Sequence, residues 1–400
     1  MAYVYALINK DTLAYICQEK GVSGDFIANK TKISATKLAL WLTPTDSALP
    51  TIKQAKKLAS CLHIPFAGLY MNSADIPLKK IPNVRNMRTM LGTSSSDDSA
   101  LNIAMIDVLL ERDFLLNAND ELGLTTKPFL PVVPKDNDPQ IWANAIREQF
   151  SISLEQQYKC NSARQFYLYL RDKIESEGVF IHCFTDVPID TARGFAIYYT
   201  DLPIIGINDE DRPPAKSFSI IHELVHLFKR ESSLCNDMNN SVTTTKEEEV
   251  FCNSVAGELL VPQNAINIVL NNNNYSAPYS KEDLKQIADR FSVSREVIIR
   301  RLLDINKISK IEYATYADLF RQEIEHEREK QRADRKNGIQ NNIPRNISRE
   351  AIDRTSPAVS KALYRGYGEE IYSKQDIARH LNIDQKHINK FLMEVAKWNN

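Results

Sequence analysis

Apolar positions recur at helical spacing through most of this chain. In the first 70 residues, Leu13, Ile16 and Cys17 mark one face of a helix over 11–19. Leu38 and Trp41 mark another over 34–42, and Ile52, Ala55, Leu58, Ala59 and Leu62 a third over 51–62. A one- or two-turn helix at 25–29 and a Pro-started turn at 65–70 complete five helical patterns, an arrangement that includes helix-turn-helix modules. The pattern then breaks. Residues 76–82 carry Pro and Lys, 93–99 are Ser- and Asp-rich, and 101–116 read as a helix. Pro128, Pro131, Pro134 and Pro139 mark a linker and place the main boundary near residue 137.

Beyond it, helical patterns at 141–150 and 163–177 lead into three extended runs at 179–184, 194–200 and 202–207, rich in Ile, Phe, Val and Tyr. Helices are expected again at 217–229, 246–260, 281–291 and 295–303. A charge-laced run at 321–336 reads as a solvated helix, 337–346 as a polar break, and 373–381 and 386–395 as closing helices. The pattern predicts an α+β chain, mostly helical, with one small β-sheet.

Composition narrows the function classes. The chain has 400 residues with 50 Lys plus Arg against 51 Asp plus Glu, which excludes a uniformly basic or acidic protein. No apolar run approaches the ~18 residues that cross a bilayer, and the first ten residues lack an export pattern. The expectation is a cytoplasmic protein with no membrane partner. The six cysteines are scattered without a CxxC pair, and so read as reduced, mostly buried thiols.

The most informative stretch is His222-Glu223-Leu-Val-His226. Histidines four apart share a helix face about 5–6 Å apart, so both rings can reach one Zn²⁺. Glu223, one residue on, can reach water beside the metal without ligating it; this is the HExxH pattern of zinc peptidases. The plain alternative is two solvent-facing histidines on an ordinary helix. Ile220, Ile221, Leu224, Leu227 and Phe228 argue against it, because they make the helix apolar enough to bury, and buried polar groups need partners. A third ligand is required. Glu247, Glu248 and Glu249 are all candidates, with the phase of Glu249, Asn253, Ala256 and Leu260 favouring Glu249. A Glu triplet near a helix start also suits the helix dipole without any metal.

His222-Glu-Leu-Val-His226, followed by Glu249-Val-Phe-Cys-Asn253-Ser-Val-Ala-Gly-Glu-Leu-Leu-Val-Pro262, resembles the ImmA/IrrE family of zinc-dependent metallopeptidases. Pro203-Ile-Ile-Gly-Ile-Asn208 and the stretch 291–302 resemble it too, and the similarity covers about 138–315. The resemblance implies a zincin-like domain in which His222, His226 and Glu249 hold Zn²⁺. It further implies Glu223 as general base and Asn253 as an acceptor orienting a ligand histidine. The run at 194–200 is a candidate edge for binding substrate backbone, with Tyr198, Tyr199 and Arg193 as candidate oxyanion donors.

Thr36-Lys-Leu-Ala-Leu-Trp41-Leu with the Pro50–Phe66 stretch resembles the XRE-type helix-turn-helix family over about 8–71. That resemblance implies Ser34, Thr36 and Lys37 at the groove-facing start of a reading helix. Residues 1–90 carry twelve basic and five acidic residues, net +7, which suits phosphate contact. Trp41-Leu42 stands where the family commonly has Trp-Glu, and only Lys37 charges the reading helix, so docking of a protein partner is an equal reading. The expected organisation is a helix-turn-helix domain at 1–72, a linker with one helix at 73–137, a peptidase domain at 138–315, and a charged helix with a helical module at 316–400. His63, His182, His380 and His387 read as structural or surface residues, and Trp142 and Trp398 as packing residues. The function expected is cleavage of a repressor- or antitoxin-like protein in a bacterial or prophage setting. The alternatives are a DNA-binding regulator whose zinc domain does not cut, or the toxin of a toxin–antitoxin pair.

Overall fold

The computed structural model describes residues 4–76, 78, 99–230, 232–235, 245–336 and 346–398. It is mostly helical, with one four-stranded sheet of order β1-β3-β2-β4. The strands are β1 (Phe180–Phe184), β2 (Gly194–Ile197), β3 (Ile204–Asn208) and β4 (Ser233–Cys235). β1 and β3 run parallel, while β2 lies antiparallel to both β3 and β4. The expected edge strand at 194–200 is therefore corrected: it ends at Ile197 and lies inside the sheet, with β4 on its outer side. β4 is too short, at three residues, to show an alternating signal.

The sheet and its helices divide the apolar side chains among three cores. The first holds the motif helix Pro213–Phe228, the helix Ala163–Glu175, the acid helix Thr245–Leu260 and the helices that follow it. Every motif-helix residue from Ser217 to Phe228 is buried, as a helix apolar on nearly all sides should be. Pro at its first positions fixes where it begins. The second core lies on the other sheet face. There Phe180, Phe184, Phe195 and Ile204 meet the helix Ser99–Glu121 and C-terminal helices contributing Val359, Leu363, Ile388 and Phe391. The third core fills the N-terminal helices around Leu13, Ile16, Leu38, Trp41 and Leu58, and takes Ile103 and Ile106 from the same Ser99–Glu121 helix. Packing thus crosses the boundaries expected at 137 and 316.

Helices at Leu154–Lys159, Gln263–Asn272, Ile347–Arg354 and Pro357–Gly368 add to those expected from periodicity. The charged run begins earlier, at Lys310, because Tyr313, Tyr316 and Phe320 pack on the first core before the helix turns polar. Trp398 is corrected from a packing residue to one 40% exposed, whereas Trp142 is buried and donates its Nε1 hydrogen to Asp136 O. Cys17, Cys61, Cys183 and Cys252 are buried free thiols and Cys160 is half-buried. The side chain of Cys235, the Ser/Asp-rich stretch at 93–98, the polar break at 337–345 and four of the basic residues counted above (Lys79, Lys80, Arg85 and Arg88) lie outside the described residues.

A buried Arg171–Glu175 hydrogen-bonded contact joins the C-terminal helices to the first core. Arg171 donates to Glu175 Oε1 at 3.4 Å, to Ile181 O and to Asp353 O at 2.9 Å each. Glu175 Oε2 accepts from Ser356 Oγ and from the backbone N of Ala358, capping the next helix. Burial pushes the Glu175 carboxyl up to about 7 against the pull of Arg171. The folded protein thus holds a proton there that the unfolded chain has released, so this group's contribution falls as pH rises from about 4.5 to about 7. Replacing it by Gln removes that slope. The difference in thermal midpoint, wild type minus Glu175→Gln, is expected to drop across the window; a constant difference would contradict the shift.

Candidate metal centre

The motif helix and the acid helix pack side by side and bring three donor atoms together. His222 Nε2 lies 3.3 Å from His226 Nε2. Glu249 places Oε2 at 3.1 Å from His222 Nε2 and Oε1 at 3.4 Å from His226 Nε2. Tetrahedral ligands at ~2.0–2.1 Å from Zn²⁺ stand about 3.3–3.4 Å apart, so this donor set fits the ion in both chemistry and spacing. Among the described residues it is the one group of three or more His, Cys, Asp or Glu side chains whose ligand atoms converge within 4.8 Å.

The surroundings fix each ring. His222 Nδ1 lies 3.0 Å from Asn253 Oδ1. With its proton there, His222 presents a lone pair at Nε2 toward the other two donors. His226 Nδ1 lies 4.0 Å from the Cys252 thiol, a partner the sequence pattern did not single out although Cys252 directly precedes Asn253. Phe218, one turn before His222, stacks on its ring at 6.3 Å. Glu247 and Glu248 are exposed on other sides of the helix.

Glu223 is wholly buried. Its carboxylate lies against β2, where a Cβ built on Gly194 would fall 3.1 Å from Oε1. Residues of β2 and the two that follow it alternate between faces: Ala196 and Tyr198 join the core around the motif helix, while Phe195, Ile197 and Tyr199 join the opposite one. This sorts the oxyanion candidates. Tyr199 is turned away and covered by Arg112 at 4.0 Å, and Arg193 is held by Asp211 at 2.9 Å. Tyr198 remains on the motif-helix side.

Residues 182–303 match the family model of the IrrE N-terminal-like domain, Peptidase_M78. No curated protein matches the chain. The match runs from within β1 into the helix Arg295–Asp304, so the two helices that carry His222, His226 and Glu249 lie inside it. It supports a metallopeptidase of the ImmA/IrrE type for that stretch, and a metallopeptidase implies a metal ion.

The N-terminal candidates lie elsewhere. Ser34 precedes the helix Ala35–Leu42 without bonding its backbone through the side chain, and Ser34, Thr36 and Lys37 are exposed. No helix among the described residues is long and apolar enough to cross a membrane.

Behind the metal cluster, the C-terminal end of the acid helix is held by buried polar side chains. Arg301 pairs with Glu258 and donates to Val261 O at 3.1 Å, while Glu258 Oε1 accepts from Gln263 N at 3.0 Å. Arg147 donates to Leu259 O, and Gln157 to Leu260 O and Phe291 O. Carbonyls that a helix end leaves without partners are answered in this way.

Proposed function

We propose that the chain is a cytoplasmic zinc-dependent endopeptidase that cleaves a regulatory protein of the repressor or antitoxin kind. The observation that carries the reading is the convergence of His222, His226 and Glu249 beside a buried Glu223. In this reading His222, His226 and Glu249 hold the ion, and Asn253 fixes the tautomer of His222. Zinc, when bound, supplies Lewis acidity to the scissile carbonyl and to a water molecule. Glu223 takes a proton from the attacking water and delivers it to the departing amine nitrogen. Among the described residues β4, not β2, is the edge strand, and a substrate backbone would add to its outer side. Tyr198 is the remaining oxyanion candidate. Binding of DNA through Ser34, Thr36 and Lys37 is a second reading for the N-terminal unit, supported by their exposure at a helix start.

Metal analysis tests the ligand set. Wild type is expected to carry one zinc per chain. His222→Ala and Glu249→Ala should lose it at equal protein recovery, with affinity down by ~10²-fold or more, because a three-ligand site has no spare donor. Retention of full zinc by His222→Ala would exclude the site.

A further inference from the structure

We propose that Gly194 is a positioning residue for Glu223: the missing side chain at 194 is the space in which the carboxylate lies. This rests on the reading of Glu223 as the proton-carrying group. A Cβ at 194 would meet Glu223 Oε1 at 3.1 Å, Glu223 Cγ at 3.3 Å and Gly206 O at 3.2 Å. These contacts are tighter than ordinary van der Waals separation, so a neighbour must give way by a few tenths of an ångström.

The backbone of β2 is poorly placed to give. Gly194 is paired on both sides, with Ile207 of β3 and Cys235 of β4. Its neighbour Phe195 is locked over Gly206, where a Cβ would fall 2.3 Å from the Phe195 ring. Phe195 also stacks on Phe184 at 5.4 Å. The His222 ring is held by Asn253 of the acid helix, so this histidine has an anchor that does not pass through β2. What yields is the Glu223 side chain. Because Gly194 is a strand residue without a positive φ, Ala fits its backbone, and of the two neighbours its Cβ meets, Gly206 O is held in the β3 ladder while the Glu223 side chain can rotate.

The test uses the full-length protein loaded with Co²⁺ and titrated with acetohydroxamate, a small chelator whose N–OH proton needs a carboxylate acceptor beside the metal. Visible absorption reports both cobalt content and chelator binding, and neither requires a known substrate. Glu223→Gln is expected to keep one cobalt per chain and to weaken acetohydroxamate about tenfold, the worth of one charge-assisted hydrogen bond. Gly194→Ala is expected to do the same, and the double variant to be no weaker than Glu223→Gln alone, since coupled residues do not add. A Gly194→Ala protein that binds acetohydroxamate like wild type overturns the proposal. So does one that loses cobalt or its fold, which would make Gly194 a packing residue only. If wild type takes up no cobalt, or Glu223→Gln binds as wild type does, the underlying reading of the site fails instead.

Discussion

Glu223→Gln is expected to leave zinc content and thermal midpoint close to wild type and to reduce peptide-bond cleavage by ~10²–10⁴-fold, the range for loss of a positioned general acid–base. Glutamine keeps the size and much of the polarity of the side chain, so the wholly buried position stays filled and its contact with β2 is kept. What is lost is the ability to accept a proton from water and pass it on. The ligand atoms of His222, His226 and Glu249 are untouched, and Asn253 still faces His222 at 3.0 Å. The measurement is a comparison of new protein N-termini in cells making either form, together with metal analysis of both purified proteins. Fragments that persist at wild-type levels with Glu223→Gln would remove this residue from the chemistry.

The largest stability loss is expected at the buried pair behind the site. Arg301 and Glu258 have side chains only 5% and 7% exposed. Arg301→Ala leaves the Glu258 carboxylate buried without its main counter-charge and frees Val261 O. Breaking one side of such a pair costs about 3–5 kcal/mol. Arg301→Met with Glu258→Met should cost less than Arg301→Ala alone, because no lone charge is then left inside. Denaturant unfolding of the three proteins checks the order. Equal losses for the single and double variants would mean that packing, not the buried charge, dominates here.

The metal cluster was legible for a local reason. Histidines four apart on one helix are set by the geometry of a single turn, and the apolar residues around them announced burial. The choice among Glu247, Glu248 and Glu249 was less legible, since three consecutive residues sweep most of a turn and the apolar arc is wide. The resemblance, and then the packing of the two helices, separated them. Gly194 could not be found by pattern at all. Its meaning lies in a contact with a residue 29 positions away in sequence, and a small residue in a strand has many plain explanations.

The place of β2 inside the sheet is not legible in the sequence, because strand order is not written in strand composition. β2 reads the same whether it is inside or outside, and three-residue β4 leaves no trace. Helices at Ile347–Arg354 and Pro357–Gly368 follow a polar break, and Ser356 before Pro357 is the start signal that marks the second of them. In the N-terminal unit Ser23 and Thr51 bond the helix starts they precede, whereas Ser34 does not, and the short helix expected at 25–29 extends over Gly24–Thr31.

The helix Ser99–Glu121 gives the molecule a fixed internal ruler. Ile103 and Ile106 belong to the N-terminal core, while Leu101, Ala104, Met105 and Val108 belong to the core beneath the sheet. His63 from one side reaches Asp107 at 2.6 Å, and His380 from the other reaches Glu111 at 3.1 Å, one turn further along. Swinging the N-terminal unit away would strip apolar surface from a rod that the sheet also needs. The N-terminal unit and the cluster of His222, His226 and Glu249 are thus tied to one rod, so the spacing between them is set by packing and not by a free linker.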